Sequence, residues 1–159
     1  MKSDIKICKK LGFNGIVSGV LNTNNSIDFI RTKELLELAK PLSFTFHRAF
    51  DCVKNPKESL QTLIDLGVDR ILTSGLQEKA IDGINLLVEL QEIAQNKLTI
   101  LAGSGINSIN AKHFKKAGIK EIHSSASKVI QQKSDTSYFD ETQTVSDIET
   151  IKKILNAIH

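Results

Sequence analysis

The sequence predicts an α/β protein made of five consecutive parallel βα units, a segment of a (β/α)₈ barrel. Three observations carry that prediction. Five short apolar runs end in small or polar residues, and each is followed by a stretch with helical spacing of its apolar residues. The runs lie roughly 22 to 28 residues apart, the length of one strand, one helix and two tight loops. Glycines recur where a helix must close before the next run begins. Strict alternation of this kind implies a parallel sheet with right-handed crossovers, which an open doubly wound sheet would also satisfy. The barrel segment is favoured because most runs end in Ser, Gly, His or Arg, whereas an open sheet gathers its site at one switch point.

Each unit is justified locally. The chain opens on "MKSDIKICKKLG", a helical pattern closed by Gly12, before the run "GIVSGVL" at 15 to 21. Asp28 is the expected cap of a helix through Leu35, Leu36 and Leu38. After "LSFTFHR" at 42 to 48, Asn55-Pro56-Lys57-Glu58 places an acceptor, a proline and an acid where a helix begins. Leu60, Leu63 and Ile64 then form its apolar stripe, and Gly67 closes it. "RILTSG" at 70 to 75 leads to a helix within 78 to 95 that buries Ile84, Leu87 and Ile93. "LTILAGSG" at 98 to 105 leads to one capped by Ser108, running through Phe114 and closed by Gly118. The last run is "EIHSSA" at 121 to 126; "QQKSDTSYFDETQTVSD" then reads as a long polar loop before a closing helix of Ile148, Ile151, Ile154 and Leu155.

Composition narrows the function. The 159 residues are 40% hydrophobic and 25% charged, as expected of one globular domain spanning 1–159. A net charge of +3, one Tyr and no Trp argue against a nucleic-acid platform. No apolar run approaches a membrane span, and the first residues lack a signal-peptide core, so a cytosolic protein is expected. Cys8 and Cys52 have neither zinc nor Cys-x-x-Cys spacing and read as two unpaired thiols.

The pieces "GFNGIVSGVL", "FTFHRAFD", "ILTSG", "AGSGI" and "EIHSSA", in that order, resemble the CutC family, named for copper homeostasis. The resemblance runs from Met1 to about Ala126 and resumes faintly over "VSDIETIKKIL". It implies a TIM barrel of eight strands of which this chain supplies five, with the first three strands absent. It also implies a role in copper handling or copper binding. The family's copper association is linked to cysteines on those early strands, so neither Cys8 nor Cys52 inherits it. No cofactor follows from the residues themselves, and copper is implied by the resemblance alone. Five strands of eight leave two parallel edges and an uncovered interior around Leu72 and Leu101. A homo-oligomer, or a partner completing the barrel, is therefore expected.

Alternation along the second run puts Phe44, Phe46 and Arg48 on one face and Ser43, Thr45 and His47 on the other. With the aromatic face under the helices, His47 points into the barrel mouth as a general acid or base. Arg48 either clamps an anion or pairs with Asp51. The competing reading is a hydrogen-bonded interior imidazole beside a structural ion pair. His123 shares a face with Glu121, which suggests either a Glu–His pair tuned for proton transfer or a satisfied polar layer. No His-x-His spacing supports a metal site.

Gly103 and Gly105 let backbone approach an anion, Ser104 can donate its hydroxyl to it, and Ser124 and Ser125 stand where the amides of 124 to 127 would open a short helix. In a barrel these loops follow the seventh and eighth strands, where phosphate sites recur. Ser74 and Gly75, within "TSG", add a polar lip or form only a tight turn. Three functions compete: a copper-handling protein, an enzyme moving a proton on a small phosphorylated or carboxylated metabolite through His47 and His123, and an inactive truncated fragment.

Overall fold

In the computed structural model, which describes residues 1–131 and 143–159, five parallel strands pair in sequential order. They are β1 (Gly15–Ser18), β2 (Ser43–Phe46), β3 (Arg70–Thr73), β4 (Thr99–Gly103) and β5 (Glu121–His123). No strand reverses across the first, so the doubly wound alternative is excluded among the described residues. The registers Gly15↔Ser43, Thr45↔Arg70, Arg70↔Thr99 and Leu101↔Glu121 carry the pairing across the sheet.

Helices α1 (Lys2–Lys10), α2 (Phe29–Ala39), α3 (Pro56–Leu66), α4 (Ile84–Ala94), α5 (Ala111–Lys116) and α6 (Ile148–Ile158) complete the order. Phe44, Phe46, Ile71, Ile100 and Ala102 alternate onto one face of the sheet and are completely buried with Leu60, Leu63, Leu87, Leu90 and Phe114 from the helices. The opposite face is the barrel interior. It carries Val17, Leu72, Leu101, Arg70 and Glu121, and Val17 is 63% exposed.

Local signals account for most element ends. Asp28 accepts the Arg31 amide at 2.9 Å, as a capping carboxylate should. The glycines that close α1, α3 and α5 have φ of +75°, +80° and +78°. Other caps differ from expectation. Asn55 occupies the position before α3, but its side-chain amide donates to Glu58 instead of accepting a backbone N–H. The helix assigned to Ser108 starts only after Asn110, because Asn107 and Asn110 bond each other's backbone in a turn that postpones it. In α4 the buried residues are Leu87, Leu90 and Ala94, while Ile93 lies 36% exposed.

The largest departure follows β5. No helix opens at 124 to 127; β6 (Ser127–Gln131) starts there and pairs antiparallel with β7 (Gln143–Ser146). The middle of the loop expected there lies outside the described residues. After β7, Asp147 caps α6, accepting the Thr150 amide and hydroxyl at 2.8 Å each. These two donors, the hydroxyl foremost, hold the Asp147 carboxyl below the usual carboxylate range. A depressed native pKa makes the cap fully effective above the unfolded value of about 4 and weakens it as pH falls through the native value. Protection of the α6 amides, relative to their intrinsic exchange rates, should therefore fall in acid below about pH 4, and Asp147→Asn should remove that dependence. Equal acid sensitivity in the variant would place its origin elsewhere. No helix among the described residues is long and apolar enough to cross a membrane.

Candidate active site at the carboxyl edge of the sheet

The carboxyl ends of β2 to β5 meet in a cavity of about 280 Å³ lined by Arg48, Leu72, Ser104, Gly105, His123 and their neighbours Ser124 and Ser125. Most of the residues expected to bind an anion therefore stand together. The others, Ser74, Gly75 and Gly103, do not line it.

His47 ends β2 and its amide donates to Ser18 at 3.2 Å. Its Nδ1 accepts the Ala49 amide at 3.2 Å and so starts the 3₁₀ turn Arg48–Cys52. A ring that accepts at Nδ1 carries its neutral-state proton on Nε2. His123 lines the cavity and His47 does not.

Asp51 explains the cluster of ionisable residues after β2. Its side chain is only 10% exposed and accepts from Arg48 Nε at 2.7 Å. It also takes the Thr73 hydroxyl at 2.5 Å, the Ser74 amide at 3.0 Å and the Leu76 amide at 3.3 Å. One carboxylate thus ties the turn after β2 to the loop after β3, and both of its oxygens are engaged. Ser74 is buried, donates to the Gln77 carbonyl and receives Arg48 Nη2 at 3.0 Å. Gly75, with φ of +70°, lies against Gly83, whose carbonyl would stand 2.4 Å from an added Cβ. Ser74 and Gly75 therefore form the tight turn behind the cavity rather than a lip on it.

Those contacts aim Arg48. Nε and Nη2 are held by Asp51 and Ser74, while Nη1 meets no acceptor among the described residues. The guanidinium is thereby fixed in position with donors left for a ligand. Gly103 lies beneath His123; a Cβ there would come 2.6 Å from Leu72 Cδ1 and 3.4 Å from His123 Cβ. Ser104 takes φ of +104°, an unusual conformation for a residue with a side chain, and its hydroxyl donates to the Glu78 carbonyl at 2.7 Å. The Ser124 hydroxyl donates to the Ile106 carbonyl at 2.7 Å, which ties the β4 and β5 loops together. The amides of Gly105 and Ser125 donate to no acceptor among the described residues.

Glu121 does not pair with His123. It receives Arg70 Nε at 2.8 Å and Nη2 at 3.3 Å, a forked bond across β4 that raises the Arg70 pKa above its ordinary value. The polar-layer alternative holds for Glu121, and His123 is exposed at the cavity without a carboxylate partner among the described residues. Sequence reasoning passed over Arg70, although an arginine opening a core strand on the face shared with Leu72 is a signal for such a pair.

A larger depression of about 500 Å³ lies between the loop after β1 and the start of α3, with Asn24, Lys54, Asn55 and Glu58 on its wall. It contains neither a strand end nor a histidine, and the charges of Lys54 and Glu58 offset one another. Among the described residues no group of three or more His, Cys, Asp or Glu side chains could hold a metal ion.

A family model described as the CutC family matches residues 1–128. A protein named CutC from Bacteroides fragilis is 48% identical over 132 residues, 82% of this chain and 53% of the relative. One from Klebsiella pneumoniae is 46% identical over 126 residues, 79% of this chain and 51% of the relative. The chain spans about half the length of these curated relatives. Among solved structures, a CutC from Streptococcus agalactiae, assigned by name to copper homeostasis, superimposes with a TM-score of 0.72 at 32% identity, covering 77% of this chain and 60% of that one.

Proposed function

The chain belongs to the CutC family, and from that premise we propose that it takes part in copper homeostasis, the role carried in the name of the S. agalactiae protein. Family membership is the observation that carries this reading. The TIM-barrel-like arrangement of its five units fits that membership. Copper would be the cargo, and Cu(I) prefers sulfur donors. Cys8 is half-buried on α1 and shares a cavity of about 310 Å³ with Met1 and Val17, while Cys52 is exposed at the end of the turn after β2. Two thiols on separate elements favour a complex that draws chains together over a tight site within one chain. Anaerobic Cu(I) titration should show binding that bicinchoninate readily competes away. No binding at all would overturn the copper reading, and a tight one-to-one complex abolished by Cys52→Ser alone would overturn the expectation of weak affinity.

The Arg48–His123 cavity favours a second reading at the molecular level: the mouth binds a small anion. A guanidinium with free donors, an imidazole and two unused amides converge there without a carboxylate among the lining residues. Proton transfer on such a ligand would rest on His123, which lines the cavity where His47 does not. Titration with inorganic phosphate tests this reading, and Arg48→Ala should weaken binding about tenfold or more. An unchanged affinity would remove Arg48 from the site. The exposed β1 edge further supports self-association of the chain.

A further inference from the structure

We propose that the mouth takes a two-part ligand, a phosphomonoester carrying a short polyhydroxylated tail such as a sugar or polyol phosphate. This rests on the anion reading of the same cavity. A second cavity of about 200 Å³ adjoins the first and shares Gly105, Ile106, Ser124 and Ser125 with it as a common wall. The two compartments differ in chemistry. Arg48 and His123 stand only in the first; the second adds Asn107, Ser127 and Thr150 and has no charged side chain in its lining.

That division sets the ligand class. A dianionic phosphate belongs against Arg48 Nη1 and His123, with the Gly105 and Ser125 amides on the common wall as further donors. The neutral compartment offers hydroxyls already oriented by other bonds. Thr150 lines this compartment and donates its proton to Asp147 at 2.8 Å, which leaves its oxygen to act as an acceptor. Ser125 and Ser127 hydroxyls lie 3.2 Å apart and can each exchange that contact for a ligand hydroxyl. An apolar tail would leave these groups without partners, and an anionic tail would find no cation there. The compartment is smaller than the roughly 300 to 1,000 Å³ of drug-sized sites, which limits the tail to a few carbons.

The test compares inorganic phosphate, ribose 5-phosphate and ribose by calorimetric titration of the full chain. Ribose 5-phosphate should bind at least about tenfold more tightly than phosphate, with ribose undetectable. Thr150→Val, which keeps the shape of the side chain, should reduce ribose 5-phosphate affinity towards that of phosphate while leaving phosphate unchanged. Ser127→Ala should act in the same direction, independently of the α6 cap. Phosphate binding that depends on Arg48 with no gain from the ribose would overturn this inference and leave the anion reading intact. Failure of both phosphate and ribose 5-phosphate to bind would overturn the two together.

Discussion

Asp51→Ala should lower the unfolding free energy by about 3 kcal/mol or more, because removing one member of a buried hydrogen-bonded cluster leaves the others unsatisfied. Thr73 and Ser74 are completely buried, and the Thr73 hydroxyl and the Ser74 amide both end on this carboxylate. Alanine would strand them where water cannot enter without opening the turn. Arg48 would also lose the bond that fixes Nε. Stability and ligand binding should therefore fall together. In a domain of this size about 3 kcal/mol corresponds to a melting temperature lower by roughly 6 to 12 °C. Asp51→Asn keeps the volume and one acceptor and should lose less. Urea denaturation of the three proteins would decide the matter: a loss below about 1 kcal/mol for alanine would show that the loop after β3 holds its shape without the carboxylate.

The second large effect concerns association. The outer edge of β1 pairs with no strand among the described residues, and Met1, Phe13 and Val17 beside it are 64%, 54% and 63% exposed. An exposed parallel edge flanked by apolar side chains is a template for another chain. Burial of apolar area at about 25 cal/mol per Å² rewards its covering. Sedimentation of the purified chain should show self-association. Val17→Lys places a charge on the open face and should weaken that association by at least about tenfold, with stability changed by no more than about 0.5 kcal/mol. A wild-type chain that stays monomeric at high micromolar concentration would show that five units satisfy their own edges.

How much of this was legible beforehand depends on how local each signal is. The unit order was readable because period and closure act within a few residues: Phe44 and Phe46 alternate inward, Asp28 caps its own helix, and Gly67 turns the chain at φ of +80°. Family likeness was readable from the strand ends for the same reason. The pairing of Arg48 with Asp51, three residues apart, was one of two alternatives that the sequence left open, and the structure has it at 2.7 Å.

The sequence by itself determined that five βα units follow one another and that polar residues crowd the carboxyl edge of the sheet. Tertiary structure decided which of those residues face a ligand. His47 gives its Nδ1 to a backbone amide two residues on and does not line the cavity. Ser74 and Gly75 sank behind the cavity because Asp51 reaches across from another strand's loop. Glu121 left His123 for Arg70, 51 residues distant, where a forked guanidinium bond was available. The stretch after β5 became a strand rather than a helix because its partner, β7, arrives later in the chain. In each case several partners of similar strength compete for one polar group, and only the folded positions of distant segments choose among them.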